Sequence, residues 1–184
     1  MNEGVIARRY AKALFRYAGE QGRGAEVYEE MKALEGSYVA HPELHRTLQN
    51  PMVSPRQKEM LLAMAVGATP SEEWRRLVGL LVRNHRETCV LAVSRMYQRM
   101  YREANGIERV RVLTARELPE ESQRRIMAHV EGQTSKRIEF VHEVDESLIG
   151  GFVLQVGSRQ LDASIRRELR DIGRQLVGKN VEFQ

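Results

Sequence analysis

The chain has 184 residues, 42% of them hydrophobic and 29% charged, with a formal charge of +4 at pH 7. That balance excludes a disordered chain and one dominated by membrane spans, because the longest apolar stretch, the one that contains Leu61 to Ala68, falls far short of the roughly 20 residues a spanning helix needs. A single cysteine, Cys89, leaves no internal disulfide, and Glu3, Arg8, Arg9 and Lys12 replace the apolar block of a signal peptide, so the expected location is the cytoplasm or a membrane surface reached from it.

The first half predicts helices, since apolar residues recur at three and four and the breakers fall between them. The first helix runs from about Val5 to Gly19, the second from about Gly24 to Val39, and a short third from His41 to Leu48. Ser54-Pro55 is a start signal for the fourth, which Gly67 closes. Ser71, followed by Glu72 and Glu73, opens the fifth with a capping hydroxyl and with acids where the helix dipole favours them. The sixth, from about Thr88 to Asn105, carries Val93, Met96, Tyr97 and Met100 on one stripe, and Asn105-Gly106 ends it.

After Gly106 the period changes to two. Val110, Val112 and Thr114 alternate with Arg109, Arg111 and Leu113, as in a strand with one polar face. A helix marked by Pro119, Ile126, Val130 and Gly132 follows, then strands at Ile138 to His142 and Phe152 to Val156. Gly157-Ser158 can turn the second of these into Arg159 to Asp162, and a last helix is expected from about Ala163 to Val177. The predicted fold is mainly α: an N-terminal six-helix bundle over residues 1–105 and a small α+β C-terminal domain over residues 106–184.

Charge divides at the same place. Residues 1–105 hold 16 basic against 12 acidic side chains, while residues 106–184 hold 13 of each; 24 of the 29 basic residues are arginine. A basic helical half admits nucleic-acid binding as the alternative function. Against it, Glu26, Glu29, Glu30, Glu35, Glu72, Glu73 and Glu87 are threaded among the arginines, and no aromatic platform alternates with a basic stripe.

The residues of a catalyst are missing from the pattern. Gly178-Lys179-Asn180 lacks the preceding glycine and the hydroxyl of a phosphate-binding loop. His41 with His45, and His85 with Cys89, are four apart and can share a helix face, but each pair is short of the three or four ligands a metal needs. Cys89 with His85 as base is possible by spacing alone, and a small core residue is the simpler account of Cys89. The expectation is a non-enzyme with no metal and no cofactor.

What the sequence offers instead is two helices with unusually wide apolar faces. At about 100° per residue, Ile6, Tyr10, Ala13, Leu14 and Tyr17 fill about 100° of the first helix, and Ala7, Ala11, Phe15 and Ala18 fill the next. Trp74, Leu77, Val78, Leu80, Leu81 and Val82 cover roughly 200° of the fifth, where a stripe of about 100° suffices for a surface helix. Either both helices are central to the bundle, or a groove between them accepts a partner's amphipathic helix.

Four segments carry a family resemblance. Ala7-Arg-Arg-Tyr-Ala-Lys-Ala-Leu-Phe15, Asn50-Pro-Met-Val53 with Lys58, Leu81-Val-Arg-Asn84, and Asp145-Glu-Ser-Leu-Ile-Gly-Gly151 running through Val156-Gly157 to Leu161-Asp-Ala-Ser164 resemble the delta subunit of bacterial F-type ATP synthases, the counterpart of the mitochondrial oligomycin-sensitivity protein. Ser158 stands where that family often has Asp, and Ala163 where Gly is usual.

The resemblance implies a non-catalytic stator subunit that joins the catalytic head to the peripheral stalk and keeps the head from turning with the rotor while protons drive rotation. It implies that the N-terminal helix of an alpha subunit lies between the first and fifth helices, lined by Tyr10, Ala13, Leu14, Tyr28, Leu77 and Leu80. It also implies that the b subunits of the stalk meet the C-terminal domain, with Ile149, Phe152 and the last helix as candidates. Neither nucleic acid nor a cofactor is implied, and the membrane is met only through the complex, at the cytoplasmic face of the bacterial inner membrane. Gly150 and Gly151 read as backbone-shape residues, and Asp162 and Ser164 as caps of the last helix.

Overall fold

The computed structural model describes residues 3–132, 134–157 and 159–170. It is mainly helical with one small sheet, and it divides into two compact units, Met1–Ala104 and Asn105–Gln184.

The first unit holds α1 (Glu3–Glu20), α2 (Gly24–Ala40), α3 (Glu43–Gln49), α4 (Pro55–Val66), α5 (Glu72–Arg83) and α6 (Val90–Ala104), with a 3-10 turn at Glu87–Cys89. Two helix starts use the hydroxyls expected of them. The Gln57 amide donates to Ser54 Oγ at 3.3 Å while the Ser54 amide donates to Gln57 Oε1 at 2.9 Å, a reciprocal capping box. Ser71 Oγ accepts from the Trp74 amide at 3.1 Å. Helix α1 starts two residues earlier than expected, at Glu3, and two other starts come late. The third helix begins at Glu43 because Pro42 takes the capping position, and the sixth begins two residues late because His85 at φ 54° turns the chain and residues 87–89 wind as 3-10.

Helix α1 packs on α6 and α5, α2 on α6 and α4, and α4 on α5. Their shared core is built from Ala7, Ala11, Leu14, Met31, Leu34, Leu62, Trp74, Leu81, Val93 and Tyr97, all buried. Polar atoms inside it are matched to backbone: Trp74 Nε1 donates to the Leu62 carbonyl at 3.3 Å, Ser94 Oγ to the Met31 carbonyl at 2.9 Å, and Tyr97 OH to the Gly24 carbonyl at 3.0 Å.

The second unit holds β1 (Ile107–Thr114), α7 (Glu120–Glu131), β2 (Arg137–Val144), a 3-10 turn at Glu146–Leu148, β3 (Gly151–Val156) and β4 (Arg159–Ser164). The sheet order is β2-β1-β3-β4, with β1 parallel to β2 and antiparallel to β3. Helix α7 makes the crossover that a parallel pair requires, and its Ile126 and Val130 cover Val110, Val112, Ile138, Phe140 and Leu154. Val156 pairs with Arg159, the register of a two-residue connection, and Gly157 has φ 57°.

The last helix enters later than expected. Ala163 and Ser164 belong to β4, opposite Phe152 and Gly151, and helix is described over residues 165–170. Pairing with β3 wins over the helical periodicity at those two positions. Ser164 still caps, accepting from the Arg167 amide at 3.3 Å, while Asp162 instead fixes the turn by accepting from the Ser164 amide at 3.0 Å and its hydroxyl at 2.7 Å. The remainder of the expected helix, with Ile172 and Leu176, lies outside the described residues.

Candidate functional site: the seam between α1 and α5

The two wide apolar helices divide their faces unequally. On α1, Ala7, Ala11, Leu14 and Ala18 are buried, whereas Ile6, Tyr10 and Tyr17 are half-buried and Ala13 is exposed. On α5, Trp74, Leu77, Val78, Leu81 and Val82 are buried and Leu80 stays 43% exposed. Most of the extra width is therefore core. What remains open on the two helices is Ala13 and Leu80, with Tyr10 and Tyr17 half-buried beside them.

The seam is braced at both ends by side chains that cross it. Asn84 Nδ2 donates to Tyr10 OH at 3.3 Å, and Arg86 Nη1 donates to the same hydroxyl at 3.5 Å, with its guanidinium 5.9 Å from the Tyr10 ring centre. Toward the other end the Arg76 guanidinium stands 5.4 Å from the centre of the Tyr17 ring. Between these braces Leu14 and Leu77, each 5% exposed, form a buried floor, and Ala13 and Leu80 are the open positions above it.

Five of the six residues expected along a groove thus belong to this seam, as wall, floor or rim. Tyr28 does not. It is 5% exposed, its ring is stacked on Tyr101 at 4.5 Å, and its hydroxyl accepts from Arg102 at 3.3 Å, both residues of α6. Tyr28 is a core ring between α2 and α6, for which Tyr101 and Arg102, one helical turn past Tyr97, supply the neighbours.

A concavity at α4 and α5 was not expected. A cavity of about 640 Å³ lies between α4 and α5, with Trp74, Val78 and Ala63 inside it and Arg56, Glu59, Met60 and Arg75 around it. Met60 is 59% exposed. The sequence hides this feature, because Trp74 and Val78 read as ordinary core positions.

In the second unit Ile149 is 64% exposed and has φ 68°, a left-handed conformation that costs a β-branched residue strain. Phe152 is 39% exposed, and Val144, Leu161, Ile165 and Leu169 are exposed as well, so the described residues of this unit present several large apolar side chains to solvent. Gly150 and Gly151 are shape residues. A Cβ on Gly151, at φ 75°, would stand 2.1 Å from the Ala163 carbonyl oxygen, and one on Gly150 would stand 2.6 Å from Ile165 Cδ1.

Candidate catalytic features look structural. Cys89 is buried at the 3-10 turn and His85 is exposed on the loop before it. His41 Nδ1 lies 3.2 Å from Glu43 Oε1, and His45 Nε2 lies 2.9 Å from Gln49 Nε2. Among the described residues no group of three or more His, Cys, Asp or Glu is gathered for a metal.

Comparison with known proteins places the chain. The family model "ATP synthase delta (OSCP) subunit" matches residues 6–176. The ATP synthase subunit delta of Parabacteroides distasonis is 37% identical over 172 residues, covering 94% of this chain and 96% of that protein. That of Phocaeicola vulgatus is 36% identical over 178 residues, with 96% of each chain covered. The fold is shared with a chain in the cryo-EM structure of the Toxoplasma gondii mitochondrial ATP synthase hexamer, at a TM-score of 0.67 and 24% identity over 96% of this chain and 98% of that one. Both the family motifs and the fold built from them agree, and the chain belongs to the ATP synthase delta (OSCP) subunit family.

Proposed function

We propose that this chain is the non-catalytic connector in the stator of a rotary, proton-translocating ATP synthase, and that it resists rotor torque by holding two partners at once. The N-terminal helix of an alpha subunit docks along the α1–α5 seam, and the b subunits of the peripheral stalk dock on the second unit near Ile149 and Phe152. On this reading the two units, Met1–Ala104 and Asn105–Gln184, serve one partner each, the first the catalytic head and the second the stalk.

The observation that carries the reading is the open apolar line at Ala13 and Leu80 above the buried floor of Leu14 and Leu77. A link under torque needs slow dissociation, which anchors buried in apolar surface supply better than rim charges do. The braces from Asn84 and Arg86 to Tyr10, and from Arg76 to Tyr17, hold α1 and α5 at a fixed separation before a partner arrives, so less ordering cost falls on binding. No helix among the described residues is long and apolar enough to cross a membrane. The chain accordingly reaches the cytoplasmic face of the bacterial inner membrane through its complex. Family membership gives the nucleic-acid alternative no support.

Calorimetric titration of the full chain with the N-terminal peptide of the alpha subunit from the same organism tests the seam. Leu80→Glu and Ala13→Trp should each leave the helical circular-dichroism spectrum intact and weaken binding by about 1.4 kcal/mol or more, a factor of about ten. Unchanged affinity in both variants would overturn the assignment.

A further inference from the structure

We infer that the helix received by the α1–α5 seam carries carboxylates on both sides of its apolar stripe, and that arginines on the two rims of the seam select for them. The inference rests on the docking role proposed above and adds the chemistry of the occupant.

Both helices set arginines in the same places around their open residue. Arg9 and Arg16 stand four before and three after Ala13; Arg76 and Arg83 stand four before and three after Leu80. At about 100° per residue these offsets turn each arginine only about 40° to 60° away from the open position, on the side away from the buried stripe. Arg9, Arg16 and Arg83 are exposed, as is the Arg76 side chain at 61%. Helices α1 and α5 face each other through Tyr10 with Asn84 and Tyr17 with Arg76, so the pairs border the seam from opposite sides.

Acidic residues are absent from the same stretch. From Gly4 to Gly19 and from Trp74 to Arg86 there is no Asp or Glu, while Arg8, Lys12, Arg75 and Arg86 add to the basic set. Along these two helices acids occur only past the Tyr17 end, at Glu20, Glu72 and Glu73, and at Glu3 at the opening of α1; from α4, the Glu59 carboxylate reaches α5 at Gly79, where a Cβ would stand 3.7 Å from its Oε1, on the flank of α5 that faces α4. Glu72 pairs with Arg76, and Glu73 is buried.

A helix lying over Ala13 and Leu80 brings its own flanks to these guanidinium groups, well inside a screening length of about 8–10 Å. Carboxylates there gain attraction and a faster encounter, whereas Lys or Arg flanks meet like charge on both rims. The apolar stripe supplies the affinity, and the rims decide which helix is accepted and in what register.

Designed amphipathic peptides of one apolar stripe, flanked by Glu, Gln or Lys, are titrated into the full chain by fluorescence anisotropy beside the alpha N-terminal peptide. At about 0.05 M salt the Glu-flanked peptide should bind at least about tenfold tighter than the Lys-flanked one, and the gap should shrink to about twofold at about 0.5 M salt. In R9Q/R16Q/R83Q the gap should collapse while the Gln-flanked peptide binds as to the unaltered chain, which also reports that the seam is intact. In Leu80→Glu all three peptides should lose binding. Equal binding of the Glu- and Lys-flanked peptides, or a preference that survives either variant, would overturn the inference. Should R9Q/R16Q/R83Q fail to fold, the charge-swapped peptides on the unaltered chain and on Leu80→Glu still decide. An alpha peptide that binds without any Glu-over-Lys preference among the designed peptides sinks the inference and leaves the docking role standing. A clear preference with no binding of the alpha peptide does the reverse.

Discussion

Lys58 of α4 and Glu87 of the 3-10 turn form an ion pair that is buried on both sides, their side chains only 10% and 8% exposed. It ties two segments 29 residues apart at the place where the chain passes from α5 into α6: Lys58 Nζ donates to Glu87 Oε1, and the buried Oε2 has no hydrogen-bond partner among the described residues. Removing one member strands a buried charge. Lys58→Met should therefore cost about 3–5 kcal/mol of unfolding free energy, and the double variant Lys58→Met with Glu87→Leu should cost clearly less than Lys58→Met alone. Urea denaturation of the three proteins checks it, and additive losses would refute the pairing.

Glu30 and Ser71 make a second buried link, between α2 and the start of α5. Ser71 Oγ donates to Glu30 Oε2 at 2.7 Å, and the Ser71 amide donates to Oε1. Burial pushes the Glu30 carboxyl above its ordinary value of 4.5 despite those two bonds, and nearby Glu26 and Glu73 push it the same way. A raised pKa means the folded state holds the proton more tightly. The stability this proton contributes is complete below pH 4.5 and is lost as pH rises through the raised value. Glu30→Gln should accordingly gain on the unaltered protein as pH climbs from about 4.5 to 7. A difference in unfolding free energy that stays flat across that range would count against it.

The Ser54 and Gln57 box predicts a non-additive pair. Each side chain satisfies an orphan amide of the other's backbone, so Ser54→Ala should cost about 1 kcal/mol and adding Gln57→Ala little more. Thermal unfolding of the single and double variants measures this directly.

Local chemistry in the sequence was enough for the elements that local chemistry decides. Ser54 and Ser71 mark their helix starts, Gly67 and Gly106 their ends, and the change of period after Gly106 marks the sheet, because caps and patterning act within a turn or two. The depth of each apolar face was not readable in the same way. Ala13 and Ala11 have the same side chain on the same helix, yet one is exposed and the other fully buried, since only the positions of α5 and α6 separate them. Tyr28 reads as a groove residue only from its place in the family pattern, and it is the Tyr101 ring stacked on it, distant in sequence, that makes it core. Sheet order was also beyond reach: β4 extends over Ala163 and Ser164 because β3 offers partners there, a non-local term that overrides helical periodicity.

Gly151 and Gly36 give opposite predictions from the same substitution. Gly151 has φ 75°, and a Cβ there would meet the Ala163 carbonyl oxygen at 2.1 Å, inside the β3–β4 pairing. Backbone, not a flexible side chain, would have to move, so Gly151→Ala should destabilise the second unit by about 2 kcal/mol or more. Gly36 sits within α2, exposed and without left-handed backbone, and a Cβ there would meet nothing within 4 Å. Gly36→Ala should stabilise the first unit by about 0.5–1 kcal/mol through helix propensity alone. Because the two units need not unfold together, hydrogen exchange read residue by residue is the apt measurement. Faster exchange confined to β3 and β4 in Gly151→Ala, with slower exchange in α2 for Gly36→Ala, is the expected result. Loss of protection in α1 to α6 on changing Gly151 would show that its backbone conformation supports far more than the hairpin it shapes.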